Sequence, residues 1–237
     1  MIGSILTLGL ALLFAAGPVL FPGFNGFPPD IFPIPQTDPP VQPAGYAFAI
    51  WGLIYLWLVV GAAWGLWQRR DDPEWTRMRQ PLNLSLALGA VWLPVAQVAP
   101  LAATVLIWAM WLSGLLALYR APRRDRGFAA WPVGLYAGWL GAASCVALGL
   151  VLAGHGVTGE RIAALAMIAL AICLTAGVQL SLRRTPTLGL AVVWALTAVY
   201  VANTPDPADV AGIALGGAIG IGALTLLNLV QDLRRMV

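Results

Sequence analysis

Eight times along this chain an apolar run of roughly 15 to 25 residues passes with no acidic or basic side chain in its interior. A helix needs about 20 such residues to cross the hydrocarbon of a bilayer, at about 1.5 Å of rise each. The runs are approximately Ile2 to Phe21, Gly45 to Trp67, Pro81 to Val98, Leu101 to Tyr119, Ala129 to Ala153, Arg161 to Leu182, Thr187 to Val201 and Val210 to Val230. The third and seventh are short. Only the Ala99-Pro100 break separates the third from the fourth, because proline disfavours helical geometry in the residue before it. A tight hairpin or a kink in one helix both fit that break, and two spans suit the length better. The expected fold is all-α, a polytopic membrane bundle of about eight transmembrane helices.

Charge placement tests the count independently, since every crossing moves the next loop to the other side. The loop after the second run carries Arg69, Arg70, Arg77 and Arg79, and that after the fourth carries Arg120, Arg123, Arg124 and Arg126. Arg183 and Arg184 follow the sixth, and Arg234 and Arg235 the eighth. With eight spans all of these share one face. The other holds Arg161 with Asp30, Asp38, Glu160, Asp206 and Asp209. By the positive-inside rule both termini are cytoplasmic, and a bacterial inner membrane is the expected location. The run from Ile2 reads as a retained first helix rather than a signal peptide, having no Lys or Arg before it.

The same charges limit the chemistry. Only 10% of residues are charged, against roughly 25% in a typical soluble domain. The pI of 9.2 does not point to nucleic acid, because the basic residues, all arginine, gather in short loops where they set topology. No run holds an internal Asp, Glu, Lys or mid-membrane Arg, which proton relays, ion-coupled transport and voltage sensing require. Catalysis by a base or nucleophile lacks its partners, so the chain is not expected to be an enzyme. One histidine, His155, in a glycine-flanked turn, and two separated cysteines, Cys145 and Cys173, make no metal site. Both cysteines are expected to be reduced and buried.

Three features exceed what a plain bundle needs. The first outward loop, Pro22 to Pro43, holds eight prolines with Phe24, Phe27 and Phe32; it either lids the bundle or rests on the membrane interface. The last run carries Gly212, Gly216 and Gly220, a small-residue stripe for close helix packing within the chain or for homodimerisation or a larger membrane complex. Eleven tryptophans are present. Trp67, Tyr119 and Trp131 suit interface anchors, but Trp57, Trp92, Trp108 and Tyr136 fall near mid-span, where their polar tips need a partner in the protein or a ligand.

From Gln42 to Tyr55 the chain reads QPAGYAFAIWGLIY. A proline-rich loop running into this string resembles the tryptophan-rich sensory protein family, also called the translocator protein or peripheral benzodiazepine receptor family. Trp51 and Tyr55 match the closing W-x-x-x-Y of its second helix, Tyr46 stands for an earlier aromatic, and Phe48 aligns with one residue deleted. Trp92 and Pro94 resemble the W-x-P of the third helix, and Tyr136 with Trp139 the Y-x-x-W of the fifth. The resemblance covers about residues 1 to 150. Two family asparagines are replaced, by Gly89 and Ala147, and three further spans follow. The implied division is a translocator-protein-like five-helix unit over 1–154 and three additional helices over 155–237.

The resemblance implies a membrane protein that binds a hydrophobic small molecule, a porphyrin- or haem-like tetrapyrrole or a lipid, in an aromatic pocket, with a sensory or regulatory role. Tyr46, Phe48, Trp51, Tyr55, Trp92, Pro94, Tyr136 and Trp139 would line it. Two other classes stay open: a structural or accessory subunit of a larger membrane complex, and a facilitator of an apolar solute.

Overall fold

The computed structural model describes residues 2–204 and 206–234, with side chains to residue 232, so the tail arginines Arg234 and Arg235 lie outside the described side chains. Eight α-helices follow in order: α1 (Ile2–Leu20), α2 (Ile50–Gln68), α3 (Pro73–Ala96), α4 (Pro100–Tyr119), α5 (Ala130–Gly154), α6 (Glu160–Leu182), α7 (Pro186–Ala202) and α8 (Ala208–Arg234). Short 3-10 turns lie at Pro29–Ile31 and Gly45–Ala49. Among the described residues there is no strand. Six helices, α1, α2 with its preceding turn, α4, α5, α6 and α8, are long and apolar enough to cross a membrane. α7 is apolar but has 17 residues, and α3, at 24, carries charges in its first turns.

The Ala99-Pro100 break is a hairpin. Ser85 Oγ donates to the Met110 carbonyl at 2.7 Å and Trp92 Nε1 to the Ala103 carbonyl at 2.9 Å, a register that only antiparallel helices give. α3 begins at Pro73 rather than Pro81, because Asp72 caps it, accepting from the amides of Glu74 (2.9 Å) and Trp75 (3.3 Å). This lengthening draws Arg79 out of the expected loop. Its Nη2 donates to the carbonyls of Gly65 (2.7 Å) and Arg69 (3.0 Å), and its Nη1 to that of Arg70 (3.1 Å), with the guanidinium 5.4 Å from the Trp75 ring centre. Arg79 thereby satisfies carbonyls left open at the end of α2.

The bundle has an arginine end and an acidic end, as charge alternation requires. At the first, Arg69 pairs with Asp125 at 2.6 Å, Arg124 with Asp72, and Arg126 with Asp232 of α8. Arg184 Nη2 donates to the carbonyl of Ala121 at 3.2 Å, so three arginine loops and the last helix meet. At the other end Arg161 pairs with Asp209 at 2.9 Å and Gln36 donates to Glu160 at 3.3 Å.

Helix contacts close a ring in the order α1, α2, α5, α4, α3, with α3 returning to α1. α6, α7 and α8 pack together, and α6 and α7 lie against the side of α5 away from that ring. α5 is therefore common to both groups. Its glycines allow this: the Leu188 carbonyl of α7 lies where a Cβ on Gly138 would stand. Gln179 of α6 donates to Thr225 at 2.6 Å, and Asn228 to the Gln179 carbonyl at 3.0 Å, tying α6 to α8.

Two expectations change. Gly212, Gly216 and Gly220 do not pack within the chain, since a Cβ at each meets nothing within 4 Å; Gly217 makes the close approach instead, onto Ile172. Cys145 is buried but Cys173 is exposed on the outer side of α6. An apolar solvent removes the penalty for such exposure, so hydropathy alone cannot tell the two apart.

Candidate ligand site

The proline-rich loop folds across the acidic end of the bundle. Phe27 and Phe32 are buried, and Phe32 covers the face of Gly154 so closely that a Cβ there would stand 2.6 Å from its ring. Backbone bonds fix the loop on both helix groups. The Ile34 amide donates to the Gly154 carbonyl at 2.9 Å and that of Ala44 to the Ala198 carbonyl at 3.1 Å. Asn203 Nδ2 donates to the Pro40 carbonyl at 2.9 Å. Phe24 then stands edge-on to Trp92 with ring centres 5.1 Å apart. So many fixed φ angles reduce the entropy lost in holding this shape.

Beneath Phe24 lies a chamber of ≈ 250 Å³ inside the ring of five helices. α1 contributes Phe14, α2 Trp51 and Tyr55, α3 Trp92, α4 Met110 and α5 Leu140. Trp51 and Tyr55 are stacked, centres 5.2 Å apart and planes 17° from parallel, because residues four apart share a helix face. Phe14 meets Trp51 and Tyr55 edge-on at 5.7 and 5.0 Å. A second cavity, of ≈ 80 Å³, lies beside the first among α5, α6 and α7.

Of the expected site residues, Phe48, Trp51, Tyr55 and Trp92 line the first chamber. Trp139 lines the second, its ring 6.2 Å from that of Trp51. Tyr136 lines neither. It is fully buried, and its hydroxyl lies 2.8 Å from Ser85 Oγ, joining α5 to α3. Tyr46 is 46% exposed and rests on Trp194 at 5.4 Å, outside the chamber. Pro94 lines neither cavity, since two residues on from Trp92 a helix presents nearly its opposite face; Leu93 lines the chamber instead.

Phe14 and Met110 are not among the expected site residues, whereas Phe24 belongs to the loop expected either to lid the bundle or to rest on the interface. For Phe14 a signal exists: the buried positions Ser4, Thr7, Ala11 and Phe14 of α1 repeat at three- and four-residue steps, the period of a packed helix face. Met110 carries no comparable local signal. The mid-span polar tips of Trp57, Trp92 and Tyr136 are satisfied inside the protein, whereas Trp139 Nε1 is buried without a hydrogen-bond partner. Trp57 Nε1 donates to the Gly127 carbonyl at 2.7 Å and Trp92 Nε1 to that of Ala103.

Of the two replaced asparagines, one falls on a cavity wall and the other behind a wall residue. At Gly89 a Cβ would stand 2.7 Å from the Phe14 ring, so Phe14 occupies the space an amide would need. Ala147 lines the second cavity. Tyr55 is the one side chain with an ionisable group on the first chamber's wall, and Cys145 the one on the second's, among the described residues. No group of three or more His, Cys, Asp or Glu suited to a metal ion occurs among them either. What such walls can do is stack on rings and exclude water. Among the described residues the ion pairs lie at the ends, where the Arg69 hydrogen bond holds the Asp125 carboxyl below its ordinary pKa of 3.8.

Comparison with curated proteins and with solved structures gives no match. The profile of one family, described as TSPO-like protein, matches residues 35–227, from the middle of the outward loop through α2 to α7 and most of α8. With that match over most of its length, this eight-helix membrane protein belongs to the TSPO-like protein family.

Proposed function

We propose that the chain is a non-enzymatic membrane protein that binds a ring-bearing, mainly apolar small molecule in the chamber beneath Phe24, with a sensory or regulatory role of the kind the family resemblance implies. The observation that carries this is the stacked Trp51–Tyr55 pair, facing a cavity walled by five helices and roofed by an ordered loop. Stacking surfaces give area at low conformational cost. In this reading the unit 1–154 holds the ligand, residues 155–237 buttress α5, and both termini face the cytoplasm of a bacterial inner membrane.

At ≈ 250 Å³ the chamber lies just under the roughly 300–1,000 Å³ usual for small-molecule sites. A tetrapyrrole is admitted only when the Phe24 segment lifts, and its carboxylates then lie at the mouth rather than on these apolar walls. Purified protein titrated with protoporphyrin or with a small aromatic quinone tests the reading through Trp fluorescence. Saturable quenching that Trp51→Ala weakens about tenfold is the expected result, at roughly 1.4 kcal/mol for a lost stacking partner. Quenching that grows without saturating counts against it.

A second reading, association with another copy or a larger assembly, has its own observation. Gly216, Gly217 and Gly220 line a shallow groove of ≈ 400 Å³ between α6 and α8, open to the outside. Light scattering in mild detergent decides it: a protein that is monomeric at all concentrations removes self-association.

A further inference from the structure

The two cavities are neighbours: Phe24, Phe48, Trp92 and Ile107 line both. They differ in character. The first is bounded by aromatic faces and includes Asn25 and Tyr55 in its wall. The second has aromatic rings and Gln42 on the side of the loop, with Trp139, but its far wall is made of small and aliphatic side chains from three helices, including Ala142 and Ala147 of α5, Met167 and Ala171 of α6, and Ala195 and Val199 of α7. α6 and α7 lie beyond the five-helix ring, so a bundle of five helices has no such space.

We propose that the site is bipartite: the ligand seats a flat ring system against Trp51 and Tyr55 and threads a slender aliphatic tail past Phe48 and Trp92 into the space between α5, α6 and α7. This rests on the ring-binding reading above and narrows the ligand to a neutral, ring-headed molecule with a short or tapering hydrocarbon tail. Three observations carry it. Only the four shared side chains stand between the two spaces, so a tail has no other element to pass. An apolar cavity stays dry and accepts only apolar guests. On the measure by which one water needs about 15 Å³, ≈ 80 Å³ is room for roughly five methylene-sized groups. Trp92 is pinned by its bond to the Ala103 carbonyl, whereas Phe24 belongs to the loop, so the aromatic wall has one fixed and one displaceable member.

The test uses 1,4-naphthoquinones bearing a 2-methyl or a 2-hexyl group, titrated into the full chain in detergent and followed by Trp quenching, with protein-free micelles correcting for partition. Burying a methylene from water strengthens binding about fourfold, and the micelle competes for the tail, so the hexyl compound is expected to bind about tenfold more tightly than the methyl one. Ala171→Leu from α6 and Ala195→Leu from α7 fill the second cavity. Each is expected to erase that advantage while leaving the methyl compound within about twofold of wild type. Equal binding of both compounds by the wild type, or a tail advantage that survives in the folded variants, overturns the second compartment and leaves the ring chamber standing. Absence of saturable binding by either compound overturns the ring chamber and the tail site with it. The wild-type comparison needs no variant, so it decides the matter even if either replacement misfolds.

Discussion

Gly89 offers the sharpest test of how the aromatic chamber is packed. A Cβ placed there would stand 2.7 and 2.9 Å from two Phe14 ring atoms and 3.1 Å from Met110 Cε. Ordinary contact begins near 3.4 Å, so the ring must retreat by about 0.7 Å. Trp51, Tyr55 and Tyr136 hold Phe14 edge-on with ring centres 5.7, 5.0 and 5.8 Å away, so a retreat toward the chamber it lines would break those ring contacts. Forcing such a shift in a packed core costs about 1–3 kcal/mol. Against this stands the helix preference for alanine over glycine, at most about 1 kcal/mol. Gly89→Ala is therefore expected to destabilise by about 1–2 kcal/mol, a fall in Tm of roughly 2–8 °C for a chain of this size. Heating in detergent with the remaining monodisperse protein measured by fluorescence-detected size exclusion reads it. Phe14→Leu should relieve the clash, so the double variant recovers most of the loss. Gly216→Ala, which meets nothing within 4 Å, should leave Tm unchanged or raise it. If Gly89→Ala matches wild type while Gly216→Ala is damaging, the helix faces assigned here are wrong.

Tyr136→Phe removes one interhelical hydrogen bond but leaves Ser85 bonded to Met110, so a loss of about 0.6 kcal/mol is expected; Ser85→Ala leaves the buried tyrosine hydroxyl only the long bond to the carbonyl of residue 85, at 3.5 Å, and should cost more, as paired melting curves will show. Because Arg69 lowers the Asp125 pKa below 3.8, this pair stabilises the fold above about pH 4 and the contribution disappears as pH falls through the depressed value. Tm measured from pH 6 to 3 should drop more steeply for wild type than for Asp125→Asn, and parallel curves count against the pairing. Phe24→Ala removes the displaceable part of the roof, so stopped-flow quenching should show faster probe association and dissociation with little change in Tm.

The helix count and the two ends of the bundle could be read from the chain because each rests on a property summed over many residues. Apolar length marks a crossing, and one misplaced crossing would have scattered the arginines that in fact meet around Asp125, Asp72 and Asp232. α3 starts before its apolar run because hydropathy ends the run at Arg77 and Arg79, whereas the Asp72 side chain caps a helix that begins at Pro73 rather than Pro81. At the site, the partial success has a geometric cause. Trp51, Tyr55 and Trp92 were found because they share faces that turn inward, but Tyr136 spends its hydroxyl on Ser85 and Pro94 points away. Nothing local reveals that Trp92 bonds a carbonyl eleven residues on, or that close approach falls at glycines such as Gly61, Gly89, Gly138 and Gly217 rather than along the regular stripe Gly212, Gly216 and Gly220 of α8. Those depend on which helix arrives opposite, and hydropathy is the same on either side of a span.

The position of α5 bears on the order in which the protein comes into being. Synthesis delivers α1 to α5 first, and at that moment the flank of α5 carrying Gly134 and Gly138 has only lipid or the insertion machinery beside it. The notch is filled when α7 arrives, travelling in the same direction, with Thr187 Oγ1 donating to the Trp131 carbonyl at 2.7 Å and Leu188 seated over Gly138. The ring of five helices thus waits on residues synthesised roughly fifty positions later. A defect that blocks entry of α7 would be felt as instability in α5, far from the altered codon.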